Sequence, residues 1–150
     1  MGKASSETKL EVTPLLLDTG PLVAYLDRTD TEHERISAAL DAFTGTLCTT
    51  SAVITEAMHL LKDDINGPRR LAEFVHGAGV RVFESTQPQQ LLSAVTLIEK
   101  YADTPMDFAD ATLVLLSEEI STNRIATLDR RGFRTYRTRK GRPFEIVPPD

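Results

Sequence analysis

The stretch PLLLDTGP, residues 14–21, decides the fold, because it joins a short apolar run to an acid and a turn. Residues 14–17 are apolar without interruption, which is typical of a strand buried on both faces of a parallel sheet. Thr19-Gly20-Pro21 supplies turn chemistry, and proline suits the first turn of a helix. The stretch therefore predicts a buried strand, Asp18 at its carboxyl end, and a helix that continues to Leu26.

The rest of the chain repeats this alternation of strand and helix. Apolar spacing, capping residues and Gly or Pro breaks separate the elements. The predicted helices cover residues 31–43, 52–61 after a Ser51 cap, 68–76, 88–101 and 107–120, and the predicted strands cover residues 46–50, 80–83 and 125–128. This order predicts an α/β fold with a mainly parallel sheet covered on both faces. Residues 134–137 and 144–147, which flank Lys140-Gly141, predict a β-hairpin.

Length and composition limit the class of protein. The chain has 150 residues, of which 41% are hydrophobic and 26% are charged, as expected for one globular domain. We expect this domain to occupy residues 14–148, behind a flexible tail of residues 1–13. No apolar run approaches the roughly 20 residues of a membrane helix. Cys48 is the one cysteine, which fits a reducing compartment, so we expect a cytoplasmic protein without a membrane segment.

Four acids come at places where a parallel sheet usually carries its functional site, the carboxyl ends of the strands. Asp18 follows the first strand and Asp129 follows the strand of residues 125–128, with Thr127 placed to donate a hydrogen bond from the same face. Asp107 and Asp110 are three residues apart at a helix start and share one face. Each also has a purely structural interpretation, because aspartates cap helices and form turns.

Glu56 is a fifth candidate, on the border of an apolar helix face between Val53 and Leu60. A carboxylate drawn toward a core needs a partner, and the nearest cation in sequence, Lys62, does not share its face. The alternative is an exposed glutamate without a special role.

If these acids converge, their repulsion requires cations. Two charges 4 Å apart at an effective dielectric of 20 repel by about 4 kcal/mol. Oxygen-only ligands favour hard ions, Mg²⁺ or Mn²⁺, which keep several waters and accept phosphate oxygens. Zinc is disfavoured, because His33, His59 and His76 are widely spaced and no second cysteine joins them. The acids therefore predict a magnesium or manganese site that handles phosphate esters.

The basic residues are concentrated near the end of the sequence, although the net charge is −5. Eight of the 17 Lys and Arg fall between residues 124 and 142, where Asp129 is the only acid: Arg124, Arg130, Arg131, Arg134, Arg137, Arg139, Lys140 and Arg142. A nucleic-acid backbone responds to such a local field more than to the net charge. Arg130, Arg131 and Arg134, which flank Asp129, are the candidate RNA-binding residues; the alternative is a solvated charged hairpin.

Four motifs in this order resemble the PIN-domain nucleases, of the kind found as the toxin in VapBC-type toxin–antitoxin pairs. The matching segments are LLDTGP at residues 16–21, SAVITE at 51–56, MDFADA at 106–111, and ATLD at 126–129 with Phe133. The likeness spans roughly residues 15–147, with Gly20 standing where many relatives carry Asn. It implies an α/β/α sandwich, RNA cleavage by metal-activated water, frequent homodimers and often an antitoxin that blocks the site. By motif position the catalytic acids are Asp18, Glu56, Asp110 and Asp129, and Asp107 is accessory.

Other classes fit less well. Asp18-Thr19-Gly20 also resembles the active-site turn of aspartic proteases, but that fold is nearly all β and this sequence is rich in helices. A dehalogenase-like phosphatase needs a second aspartate where Gly20 stands. The open alternative is a domain of the same fold that binds RNA or a protein partner and turns over little.

Overall fold

A computed structural model describes residues 13–150 of the chain. The strands in this part are β1 (Pro14–Leu17), β2 (Thr46–Thr50), β3 (Arg81–Phe83), β4 (Arg124–Ala126) and β5 (Glu145–Val147). The helices are α1 (Thr19–Leu26), α2 (His33–Ala42), α3 (Ser51–Leu60), α4 (Gly67–Gly77), α5 (Pro88–Lys100), α6 (Phe108–Glu119) and α7 (Arg130–Thr135). The predicted flexible tail, residues 1–13, lies outside the described residues except for Thr13.

The five strands form one sheet in the order β3-β2-β1-β4-β5, and every pair is parallel. Consecutive residues Leu15, Leu16 and Leu17 are each 0% exposed. Because successive side chains of a strand point to opposite faces, both faces of the sheet must be covered. The predicted α/β/α sandwich with a mainly parallel sheet is confirmed. Among the described helices, none is long and apolar enough to cross a bilayer.

The strand order creates a crevice between β1 and β4. The chain moves outward from β1 through β2 to β3 and then returns to pair β4 with the other side of β1. At such a reversal the connections leave on opposite sides, which opens a crevice at the carboxyl ends of the two strands. The amide of Asp18 donates to the carbonyl of Ala126 (3.0 Å), which holds the two strand ends together at the base of this crevice.

The predicted C-terminal hairpin is wrong. Residues 130–135 form helix α7, and the antiparallel pairing near the expected turn is a single bridge between Arg137 and Pro143, which lies outside the predicted second strand. Strand β5 instead pairs in parallel with β4, with Ile146 opposite Ile125. This pairing satisfies the outer edge of β4, whose backbone groups would otherwise remain unpaired, and it accompanies burial of Phe144, which is 8% exposed.

Two element boundaries also differ from expectation. Thr50, rather than Ser51, caps α3, because its side chain accepts from the amide of Val53 (3.4 Å) while the Ser51 hydroxyl bonds that of Ser85 (2.8 Å). Strand β4 ends at Ala126, so Asp129 follows it after two irregular residues and not directly.

Candidate active site

Asp18 is the most buried of the candidate acids, with 7% of its surface exposed. As the N-cap of α1, it accepts from the amide of Thr19 (2.8 Å), and its second oxygen accepts from the hydroxyl of Thr127 (2.7 Å). Burial raises the pKa of Asp18 to about 6 although both hydrogen bonds lower it, and the charges of Asp107 and Glu56 raise it further. The cap interpretation is therefore correct, and the same carboxylate faces two other acids.

Thr127 connects the first and last acids of the sequence. It is 0% exposed, and its hydroxyl accepts from the amide of Asp129 (3.0 Å) while donating to Asp18. Asp129 in turn caps α7, where its carboxylate accepts from the amide of Gly132 (3.1 Å). One buried hydroxyl thus fixes the loop that carries Asp129 against the side chain of Asp18, which gives the accessory hydrogen bond predicted for Thr127 a definite geometry.

Asp107 and Asp110 form a reciprocal capping box at the start of α6. Asp107 accepts from the amide of Asp110 (2.8 Å), and Asp110 accepts from the amide of Asp107 (3.2 Å). The predicted N-cap at Asp107 is confirmed. Burial raises the pKa of Asp110 to about 8, and the charges of Asp107 and then Asp18 contribute. The helix start is therefore stabilised locally while it faces the acid at the end of β1.

Glu56 is half-buried on α3 and lies within electrostatic reach of Asp18. A buried hydrogen bond joins the hydroxyls of Thr50 and Thr112 (2.8 Å), and it ties the start of α3 to α6. Glu56 and Asp107 line the same open cleft of about 800 Å³. The helix that carries Glu56 and the helix that carries Asp110 are thus fixed to each other beside this cleft.

Tyr136 and Gly132 position the site, and neither was singled out by the sequence analysis. Tyr136 is fully buried, and its hydroxyl donates to the carbonyl of Pro105 (2.8 Å), beside the start of α6. Burial raises its pKa, and the charges of Asp110, Asp129, Asp107 and Asp18 add to this effect. Phe133 and Tyr136 are three residues apart, a spacing that is typical of one helix face and that could have predicted α7, which ends one residue before Tyr136.

Gly132 allows the carboxylate of Asp129 to approach the backbone of α7. A β-carbon at this position would lie 2.9 Å from the carboxyl carbon of Asp129 and 3.0 Å from a ring carbon of Tyr136. The first approach is closer than real β-carbon contacts and the second is unusually tight, so any larger residue would displace the carboxylate of Asp129 from the observed cap. Near Asp18, a β-carbon on Gly20 would meet the side chain of Leu128 at 3.3 Å, so Leu128 takes up the space beside this glycine.

Comparison with known proteins agrees with this geometry. Residues 15–138 match the family model described as the PIN domain. The chain belongs to the PIN domain family. A relative of this PIN domain is Ribonuclease VapC26 of Mycobacterium tuberculosis, which is 28% identical over 135 residues, 89% of this chain and 100% of the relative.

Two solved structures share the fold of this PIN domain. The crystal structure of Mycobacterium tuberculosis VapC20, a toxin that cleaves the sarcin-ricin loop, superposes with a TM-score of 0.70 at 17% identity and covers 77% of this chain and 90% of that one. The FitAcB structure from Neisseria gonorrhoeae gives a TM-score of 0.54 at 23% identity over 79% and 90% of the two chains. At these identities the comparison establishes the fold alone.

The five candidate acids of this PIN domain form no ion pairs with basic side chains in the described part of the chain. In residues 13–150, the ion pairs involve none of Asp18, Glu56, Asp107, Asp110 and Asp129. Within the same range, no three His, Cys, Asp or Glu side chains are grouped as a ready metal site. Mg²⁺ commonly binds through one or two carboxylates and keeps several waters, so the oxygen-only donor set fits this ion. The buried hydroxyl of Thr19, for which the described chain offers no hydrogen-bond partner, is a further oxygen beside Asp18.

Several of the basic residues between positions 124 and 142 form contacts within the PIN domain itself. Arg124 pairs with Glu145 and Arg139 with Glu118, while the guanidinium of Arg137 donates to carbonyls at the end of α7. Of the predicted RNA-binding residues, Arg131 is exposed, whereas Arg130 and Arg134 contact the end of the described chain. The basic surface near the acids is thus formed by α7.

Proposed function

We propose that this PIN domain is a ribonuclease that uses Mg²⁺ or Mn²⁺ to hydrolyse RNA phosphodiester bonds, and that it acts as the toxin of a toxin–antitoxin pair. The observation that carries the proposal is that Asp18, at the end of β1, lies within electrostatic reach of Glu56, Asp107 and Asp110, while the ion pairs of residues 13–150 involve none of these carboxylates. Membership of the PIN family and the relative named Ribonuclease VapC26 support the same reaction class.

In this proposal the acids divide into two roles. Asp18 and Asp110, with Asp107 and Asp129, would hold the cation directly or through its waters, and Glu56 with the same group would orient the attacking water. A divalent ion supplies the positive charge that offsets the charge developing on the phosphoryl group, and it activates water near neutral pH. Thr127 and Tyr136 are positioning residues, since each contacts an element that carries an acid and neither faces the substrate.

The cleft beside Glu56 and Asp107 suits a single RNA strand. Its volume is about 800 Å³, and its other polar lining residues are Ser51, Thr55, His59, Glu84 and Thr86. These side chains offer hydrogen bonds without a strong positive charge, so backbone attraction must come from elsewhere. The exposed Arg131 and the neighbouring arginines of α7 are the proposed source of that attraction.

The experiment compares cleavage of total RNA by the metal-stripped protein with Mg²⁺, with Mn²⁺ and with EDTA. Attack by water should leave 5′-phosphate and 3′-hydroxyl ends, and Asp110→Asn should abolish the activity while Asp63→Asn, an exposed aspartate paired with Lys62, should retain it. Equal cleavage in EDTA, or 2′,3′-cyclic phosphate ends, would refute the mechanism. RNA binding without any cleavage would instead support a binding domain of the same fold.

Two partners belong to the proposal. The relatives' names include a VapC ribonuclease and a VapC toxin, and we propose a cognate antitoxin that inhibits this chain. A homodimer remains a prediction from the family resemblance. Co-expression with the product of an adjacent small gene should relieve toxicity, and sedimentation of the purified chain should give twice the mass of 16.6 kDa.

A further inference from the structure

Residues 148–150, the last that the structure describes, lie against three arginines from two helices. Arg130 of α7 donates to the carbonyl of Pro148 (2.6 Å) and pairs with Asp150 (2.9 Å). Arg134, one turn later, forms a second ion pair with the same carboxylate. Arg35 of α2 donates to the carbonyl of Pro149 (2.6 Å). We call residues 148–150 the C-terminal segment and Arg35, Arg130 and Arg134 the arginine cluster.

The C-terminal segment begins at the edge of the sheet that carries the acids. Because β5 is parallel to β4, its carboxyl end lies on the same side as the carboxyl ends of β1 and β4. The carbonyl of Val147 accepts from the amide of Thr127 (3.3 Å), and Arg130 directly follows Asp129. The arginine cluster therefore lies next to the acid group and not on a remote surface.

We propose that the arginine cluster is a binding site for an RNA phosphate and that the carboxylate of Asp150 occupies it in the free protein. The inference rests on the proposed ribonuclease function and adds a site and a regulatory contact to it. A guanidinium fork binds carboxylate and phosphate oxygens with the same planar geometry. RNA must then displace Asp150, so the C-terminal segment lowers the affinity for RNA.

The exposure of these groups indicates which contacts RNA can displace. The side chains of Asp150 and Arg134 are 66% and 56% exposed, whereas that of Arg130 is 19% exposed. Exposed ion pairs are weak and screened, so the bonds to Asp150 exchange readily. The bond from Arg130 to Pro148 can persist, and the segment then stays attached while the side-chain carboxylate of Asp150 moves away.

The test measures binding of a 12-nucleotide single-stranded RNA in EDTA, so that no cleavage occurs. Asp150→Asn should tighten binding by about two- to tenfold, the range expected for losing one or two exposed ion pairs as competitors. Asp63→Asn, which removes an equal charge from another surface, should leave binding unchanged. In an Arg134→Gln background the effect of Asp150→Asn should be smaller, because only the ion pair with Arg130 then remains and a shared partner makes the two changes non-additive.

Two results would overturn the proposal. One is an unchanged RNA affinity in Asp150→Asn. The other is a gain in affinity that persists in full in the Arg134→Gln background, because it would show that the charge of Asp150 repels RNA without occupying the arginine cluster. Tripolyphosphate binding separates this inference from the ribonuclease proposal. If no RNA is cleaved with metal but tripolyphosphate binds Asp150→Asn more tightly than the natural chain, the phosphate site stands and the nuclease function fails. If RNA is cleaved and neither ligand responds to Asp150→Asn, the nuclease function stands and the competition fails.

Discussion

Replacing Asp18 with Asn should stabilise the metal-free protein while removing its activity. In the folded state the pKa of Asp18 is raised from 3.8 to about 6, chiefly by burial. At pH values above 6, this shift makes the ionised side chain unfavourable by about 3 kcal/mol relative to the unfolded chain. Asparagine removes that penalty, because it carries no charge to desolvate.

Part of this gain in the free energy of unfolding is offset, because the substitution removes one hydrogen bond. Asparagine can keep an oxygen for the amide of Thr19, but its amino group then faces Thr127, whose hydroxyl hydrogen loses its acceptor. That loss costs about 1 kcal/mol, so the net stabilisation should be about 2 kcal/mol at pH 8. For a chain of this size it corresponds to a rise in Tm of roughly 4–8 °C.

The pH dependence gives the sign of the effect. A raised pKa means that the folded protein binds the proton more tightly than the unfolded chain does. The contribution of Asp18 to stability is therefore fully present below about pH 4 and is lost as the pH rises through about 6. Asp110, whose pKa is raised to about 8, extends this decline toward pH 8. The gain from Asp18→Asn should thus vanish near pH 4.

The assay is urea unfolding of the metal-free protein in EDTA at pH 4, 6 and 8. Asp27, at the other end of α1, is a matched control, because hydrogen bonds from the side chain and amide of Thr29 lower its pKa. The stability that Asp27 contributes is present at high pH and is lost as the pH falls through its lowered pKa. Asp27→Asn should therefore not increase the free energy of unfolding at pH 8. A loss of stability in Asp18→Asn at pH 8, with cleavage intact, would show that Asp18 is an ordinary helix cap.

Three further changes test the site. In a thermal shift assay, Mg²⁺ should raise the Tm of the metal-free protein by mass action. It should raise the Tm of Asp18→Asn or Asp110→Asn much less, and equal shifts would mean that the ion binds elsewhere. Asp107→Asn preserves the cap, since asparagine is an equally good N-cap, and it removes a charge that disfavours the ionised forms of Asp18 and Asp110. We therefore expect a small gain in stability at pH 8 together with slower cleavage, whereas unchanged cleavage would leave Asp107 as a cap only. Gly132→Ala should displace the carboxylate of Asp129 and slow cleavage by about 10²-fold with the circular dichroism spectrum retained, and full activity in this variant would mean that Asp129 is not needed in its observed position.

Much of the architecture could be predicted because the sequence patterns that indicate strands, helices and caps involve residues close together in the chain. The apolar run of residues 14–17 identifies a buried strand, and the acid that follows it must lie at the carboxyl edge of a parallel sheet. The pair Asp107 and Asp110 has the spacing of a capping box, which the structure contains. These features depend on neighbours within a few residues, so the order of the amino acids is enough to reveal them.

The tertiary structure decided the features that depend on distant partners. Strand β5 joins β4 in parallel because that edge needs backbone partners, and residues 134–137 therefore do not form the expected hairpin. The hydroxyl of Thr127 binds Asp18, 109 residues away, and Asp150 reaches Arg134, 16 residues away. The sequence determined which acids follow the strands and begin α6. The tertiary structure determined that the ion pairs of residues 13–150 involve none of these acids and that the side chain of Asp150 binds the arginines of α7.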